Sequence, residues 1–537
     1  MRRCFSLFGF LICTISILFC LSCDGIFGIK YGDFQNDKTN NSEENKDDYT
    51  GRETRQFYAY NFTEPYSDFS KNYYKLDAVH LAENNSCVIY GEQSAGISLN
   101  TAGEIAEEFR RHILEKISGA FGPIGIMPGN NKKFVLLLLD IRDGAQNIQT
   151  PYIAGYFDYR DLLARESYPY SNELGMIYLD VKPGEPGERE FYTTIAHELQ
   201  HNINFIASVD YRRDAGRTVY LMDTWVDEGL SSAAEDIYLG DRLSSRINHF
   251  NRDPYGTIAR GNNFFVWDNH EEDHSGAILD EYATVYLFFQ WLRIHASNGI
   301  GIYKDIISSP FVPSTNNPLE FTGVGAIIRA VKTRFTASPS QGTQNEWNYW
   351  EVILREWLLA NYLNHAADTL SPTLGYKGQI STFVQEIADP SIRLAPGEGV
   401  FSVIANQFVL WRDQTDVNID YAGINRDGTI HTGSLLGQNK IFTGTRLLTF
   451  NKNYDNALYK YKIENSRYVL DSGGNRIVEQ DASLFGTGYL TGVKPSAVRM
   501  EDSRQVYTEP SSFVIDAGDF LRNRRIPDRL GIGYGQN

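Results

Sequence analysis

An α+β fold is predicted by three observations on the sequence. Strand-like runs gather at the two ends of the folded part, helical apolar spacing dominates its middle, and two unbroken apolar strands precede the longest helical pattern. The chain has 537 residues, 42% of them hydrophobic and 22% charged, which is enough for a sizeable core shared among several domains. Its 67 acidic and 50 basic side chains give a formal charge of -17. That balance excludes a surface built to neutralise phosphates, so no nucleic acid partner is expected.

At the N-terminus, Met1-Arg2-Arg3 and the apolar run Cys4 to Ser22 have the basic and hydrophobic regions of an export signal. The run ends in Leu21-Ser22-Cys23, which resembles a bacterial lipoprotein box with Cys20 where a leucine is usual. The resemblance implies lipid attachment at Cys23, hence a membrane anchor and a place in the cell envelope or on the cell surface. Without that lipid the expectation is a secreted protein. Asn36 to Gln56 is polar, with too little apolar surface to offset its ordering entropy, and is expected to be a disordered tether. Residues 1–23 are therefore expected to be the signal and 24–56 the tether.

Residues 57–95, with Tyr73-Tyr74-Lys75-Leu76 and Cys87-Val88-Ile89-Tyr90, predict a small N-terminal β unit. Ile105, Phe109, Ile113, Leu114 and Ile117 predict a helix over Thr101 to Phe121, stopped by Gly122-Pro123. Phe134 to Ile141 and Met176 to Val181 predict strands, the second as a candidate edge that pairs with an extended peptide. Helical patterns fill the chain from Glu188 to about Asn364, including Tyr282 to His295 and Trp347 to Leu363. Short β-prone segments follow at Phe401 to Trp411, Arg446 to Phe450, Tyr459 to Ile463 and Phe513 to Ile515. The expected division is a central domain over 96–370 and a C-terminal β domain over 371–537.

The sequence His197-Glu198-Leu199-Gln200-His201 is an HExxH motif. Phe191, Ile195, Leu199 and Ile203 recur every four residues as a core-facing stripe, leaving His197 and His201 one turn apart on another side of the same helix. Two imidazoles so placed are two of the three protein ligands of a catalytic zinc. Glu198, about 100° round the helix from His197, reaches a bound water without ligating the metal. Zinc acidifies the water and polarises the carbonyl, and Glu198 acts as the base. Four of the five cysteines lie within the first 23 residues and only Cys87 falls in the folded body, so thiolates cannot supply the ligands. Thr224 with Asp227 predicts a capping box opening a helix. Glu228 in its first turn is then the expected third ligand, and Glu235 the acceptor for a ligating histidine's free N–H. Tyr282 is a candidate donor to the developing oxyanion, with His274 as a rival and simple packing as the alternative role.

HELQH with Asn202 to Phe205, followed downstream by WVDEGLSSAAED, resembles the gluzincin zinc metallopeptidases, most closely the hyicolysin-type bacterial family. The similarity spans roughly Thr101 to Leu363, including Gly155-Tyr156-Phe157 and Ser171-Asn172-Glu173. It implies a thermolysin-like zincin catalytic domain, one zinc ion per chain and endopeptidase activity on a protein or peptide substrate; separately, a monomer is expected. It also implies His197, His201 and Glu228 as ligands and Glu198 as the base. The spacing from His201 to Glu228 is longer than in the best-known gluzincins. The alternative from another class is a surface binding lipoprotein whose zinc site is structural or vestigial; retention of Glu198 disfavours it.

Overall fold

The computed structural model describes residues 49–63, 72–126, 133–145, 152–213, 218–254, 256–261, 278–310, 322–336, 346–366, 372–387, 394, 397–410, 419–432, 434–436 and 439–452, together with the strands at 468–470, 476–478 and 512–514. The export signal, Cys23, His274 and the segment Tyr459 to Ile463 lie outside the described residues.

The two apolar runs become buried neighbours in one sheet. Its strands in chain order are β1 (Thr54–Tyr60), β2 (Tyr73–Glu83), β3 (Cys87–Glu92), β4 (Phe134–Leu139), β5 (Gly155–Tyr156) and β6 (Met176–Asp180). Across the sheet the order is β1-β2-β3-β4-β6-β5. The β3–β4 and β4–β6 pairs are parallel and the others antiparallel. Leu136, Leu138, Ile177 and Leu179 belong to the helix-facing core, and Val135, Leu137, Met176 and Tyr178 to a second core on the opposite face. Burial on both faces is why these strands are unbroken apolar runs rather than alternating ones.

Three expectations change here. The N-terminal strands are present, and β3 joins them edge to edge with β4 in a single sheet. Part of the expected tether belongs to the fold: β1 opens at Thr54, Tyr49 packs on the main core, and the Arg52 guanidinium donates to the carbonyls of His80 and Leu81. An aromatic and an arginine anchor a stretch whose polar composition suggested a leash. Finally, β6 is not the edge. Gly155 and Tyr156 pair with Leu179 and Tyr178 and cover it, so the two-residue β5 is the edge strand.

The helices are α1 (Leu99–Glu108), continued by a π turn (Phe109–Ile113) into α2 (Leu114–Phe121), then α3 (Arg189–Tyr211), α4 (Thr224–Leu239), α5 (Ser244–Arg252), α6 (Ile278–His295), α7 (Gly301–Ile307), α8 (Thr322–Arg334) and α9 (Glu346–Leu363). The N-cap Ser98 hydroxyl accepts from the Thr101 amide and opens α1, and Gly122, with φ of 135°, closes α2. The α3 stripe of Phe191, Ile195, Leu199 and Ile203 enters the core against the sheet as the spacing predicts. Among the described residues, no helix is long and apolar enough to cross a membrane.

Between α3 and α4 lies β7 (Thr218–Tyr220). The C-terminal strands are β8 (Gly399–Val403), β9 (Gln407–Leu410), β10 (Ile419–Ile424), β11 (Ile430–His431), β12 (Ser434–Leu436), β13 (Asn439–Thr443) and β14 (Arg446–Asn451), in sheets of order β11-β10-β14-β8 and β12-β13-β9. Phe401, Ala422, Ile424, Leu448 and Phe450 merge with the helical core, and the Phe401 ring stacks on Tyr362 of α9 at 4.3 Å. The expected strand at Phe513 is β15 here, Ser512–Val514, and it pairs antiparallel with β7 rather than with the C-terminal sheets.

Candidate metal centre

α3 and α4 pack directly on each other, and their crossing assembles the centre. His197, Glu198 and His201 project from α3, and Asp227, Glu228, Ser231 and Glu235 from α4. A small residue at the contact permits the approach of a third helix. A Cβ on Gly229 would stand 2.4 Å from the Phe289 ring of α6. α4 begins at Thr224 as expected, but its N-cap is Asp223 and no side chain caps it. Asp227 is not used in a capping box because its carboxylate turns to α3: Oδ2 lies 2.9 Å from Nδ1 of His201, and Oδ1 accepts from Asn204 at 2.5 Å.

One nitrogen from each histidine and one oxygen of Glu228 all lie within 4.8 Å of one another, and all three residues are buried. Glu228 Oε2 is 3.4 Å from Nε2 of His197 and 3.9 Å from Nε2 of His201, and it accepts no hydrogen bond. Ligands about 2.0–2.1 Å from a tetrahedral zinc stand roughly 3.3 Å apart, so this spacing suits a shared ion better than direct pairing. The opposite ring nitrogens are already engaged. His197 Nδ1 is 2.7 Å from Glu235 Oε1, and His201 Nδ1 is 3.1 Å from Ser231 Oγ as well as 2.9 Å from Asp227. Each ring can therefore donate Nδ1–H outward and direct the Nε2 lone pair inward.

The charges agree with that reading. Burial opposes a charged imidazole, yet Glu228 and Glu235 hold the pKa of His197 well above its usual value. His201 is likewise raised to about 9 by Asp227 and Glu228 against the burial penalty. For Glu228, burial pushes upward, but His201 and His197, with a hydrogen bond from Tyr282, bring the carboxyl below its ordinary range. Four carboxylates around two imidazoles make a pocket that favours positive charge, and the donor set of two histidines and one glutamate suits zinc.

Glu198 is buried, and burial raises its pKa, with the two histidines opposing. It sits under the edge strand: a Cβ built on Gly155 would lie 3.3 Å from Glu198 Cγ and 2.8 Å from Thr194 Cγ2. Tyr282 on α6 reaches the same place, its ring 6.4 Å from that of His197 and 4.4 Å from the Arg246 guanidinium. Arg246 also lies 3.8 Å from Glu235.

The structure thus brings together His197, Glu198, His201, Glu228, Glu235 and Tyr282. Sequence reasoning missed Asp227, Ser231 and Arg246. A carboxylate immediately before Glu228, and a serine one turn on, were the available signals for the first two. Nothing local marks Arg246. The free Cys87 is buried, its thiol pushed up to about 12 chiefly by burial, and takes no part.

No protein-family model matches the chain. Over 227 residues it is 32% identical to the neutral metalloprotease ShpI of Staphylococcus hyicus, a stretch covering 41% of this chain and 47% of that protein. The chain therefore spans about half the length of the curated relative it matches. This similarity to a metalloprotease stands beside a buried cluster of His197, His201 and Glu228 whose ligand atoms could hold a metal ion.

Proposed function

We propose that this chain is a zinc-dependent endopeptidase of the gluzincin, hyicolysin-type class, exported and held in the cell envelope through a lipid on Cys23. The observation that carries the catalytic reading is the convergence of His197, His201 and Glu228 beside a buried Glu198. A zinc ion bound there supplies a Lewis acid that polarises the scissile carbonyl and acidifies water. Glu198 is the general base: its raised pKa suits it to take the proton of the attacking water and pass it to the leaving nitrogen. The Tyr282 hydroxyl supplies a donor for the developing oxyanion. The edge strand β5, next to Glu198, offers main-chain groups for an extended peptide, the role sequence reasoning gave to residues 176–181. Glu235 and Asp227 orient the two imidazoles. The C-terminal strands serve as an accessory β domain.

The test is a Glu198→Gln variant assayed on an unstructured protein such as casein, with zinc content measured alongside. The expected outcome is one zinc per chain in parent and variant, chelator-sensitive digestion by the parent, and a rate about 10²–10⁴-fold lower in the variant. Digestion at the parental rate by zinc-loaded Glu198→Gln rules out the mechanism.

A further inference from the structure

His201 is held by more than a lone carboxylate, because a line of polar groups, buried at Arg212 and Asn204 and half-buried at Asp227, runs behind it. Arg212, at the C-terminal end of α3, is fully buried. Its Nη1 donates to the Ile307 carbonyl at 2.5 Å, and its Nη2 lies 2.5 Å from Ser208 Oγ, 3.1 Å from the Asn204 carbonyl and 3.0 Å from Asn204 Oδ1. Asn204 Nδ2 then donates to Asp227 Oδ1 at 2.5 Å, and Asp227 Oδ2 faces His201 Nδ1 at 2.9 Å.

The donors and acceptors along this line permit only one polarity. A guanidinium has donors alone, so the Asn204 amide must turn its oxygen to Arg212 and its NH₂ to residue 227. Residue 227 must then accept from Asn204 with one oxygen and from His201 with the other. A carboxylate does both. An amide at 227 cannot: with its oxygen toward His201, its NH₂ would face the NH₂ of Asn204, and flipping Asn204 would set that NH₂ against Arg212. Ser231 Oγ, 3.1 Å from His201 Nδ1, is a second acceptor, so breaking the line weakens the hold on the ring without abolishing it.

We propose that Arg212, Asn204 and Asp227 form a polarity relay that fixes the proton of His201 on Nδ1 and its lone pair on Nε2 toward the ion. Arg212 and Asn204 are positioning residues: they act through Asp227 and touch neither metal nor substrate. The proposal rests on the metal-centre reading above.

A reciprocal exchange tests it. Asp227→Asn opposes two donors, and Asn204→Asp opposes two carboxylates. The double variant restores an acceptor at 204 for Arg212 and for the new amide, whose oxygen still faces His201. Zinc affinity is measured by competition with a chromogenic chelator, without reference to turnover. Each single variant is expected to bind zinc about 10–100-fold more weakly than the parent, and the double variant to return to within about threefold of it. A purely packing role predicts no such rescue. Single variants with parental affinity, or a double variant as weak as the singles, overturn the relay while leaving the metal centre intact. A parent chain that takes up no zinc overturns both. If a single variant does not fold, a folded double variant with near-parental affinity supports the relay, and a double variant that also fails to fold overturns it.

Discussion

Nδ1 of His197 lies 2.7 Å from Oε1 of Glu235 across the crossing of α3 and α4. The partner oxygen belongs to a carboxylate that is almost fully buried and lies 3.8 Å from the Arg246 guanidinium, so its charge is countered within the protein. A metal-bound imidazole that donates to such a carboxylate is fixed in orientation and made a better ligand.

Glu235→Gln keeps the shape and an acceptor oxygen but removes the charge. It is expected to weaken zinc binding about tenfold or more, and Glu235→Ala further toward 100-fold. Chelator competition measures both; unchanged affinity in Glu235→Ala means that the 2.7 Å contact only fills space.

The legible part of this centre was the local part. His197, Glu198 and His201 lie within five residues on one helix, so helical geometry alone sets their relation. Glu228 was recoverable because a helix start and its first turn are visible in sequence. Asp227 was assigned to the wrong partner: a Thr-x-x-Asp pattern predicts a cap, but the pull of a buried histidine and of Asn204 outweighed a single capping bond. Arg246 meets Tyr282 from a different helix, and no periodicity links residues that far apart. The edge strand was misplaced because a two-residue β5 is too short to show alternation, which left β6 as the last visible strand. Tyr49 and Arg52 were lost to the average composition of a segment whose few anchoring side chains decide its order.

Tyr282 donates to Glu228 and lies beside His197, so two roles for its hydroxyl make different predictions. If the hydroxyl swings to the oxyanion, Tyr282→Phe lowers kcat by about 10²–10³-fold with KM little changed. If it only supports Glu228, zinc affinity falls and kcat of the fully loaded enzyme does not. Steady-state kinetics at saturating zinc separate them, and the first outcome is expected.

Gly229 follows Glu228 directly and faces Phe289, whose ring packs against Trp225 at 6.4 Å and Tyr303 at 6.2 Å. An alanine there would gain about 1 kcal/mol of helix propensity, while a Cβ at 2.4 Å from the ring incurs about 1–3 kcal/mol of overpacking. Overpacking wins because Phe289 is fully buried and its ring already packs against Trp225, Phe288 and Tyr303. Gly229→Ala is expected to lower the unfolding free energy by up to about 2 kcal/mol in urea titrations, and to loosen Glu228 enough to weaken zinc binding.

His295 gives a pH-dependent contribution to stability away from the metal centre. Its Nε2 donates to the Gly375 carbonyl at 2.8 Å in an apolar setting of Trp291 and Phe335. Burial lowers its pKa to about 4; Lys377 adds to this and the bond to Gly375 opposes it. In the unfolded chain the value is about 6.5, so on acidification through the window from about 6.5 to about 4 the unfolded state takes up a proton that the folded state refuses. Stability from this residue is complete above about pH 6.5 and is lost as pH falls, by a few kcal/mol at most, because each tenfold difference in proton affinity between the two states is worth about 1.4 kcal/mol. Asp180 and Asp161, raised by burial to about 7 and about 8, act with the opposite sign, because their folded forms retain protons that the unfolded chain has released. The total profile therefore mixes both trends, and the difference between parent and His295→Gln isolates one. Urea midpoints at about pH 7 and about pH 4.5 are expected to fall more steeply on acidification in the parent than in the variant.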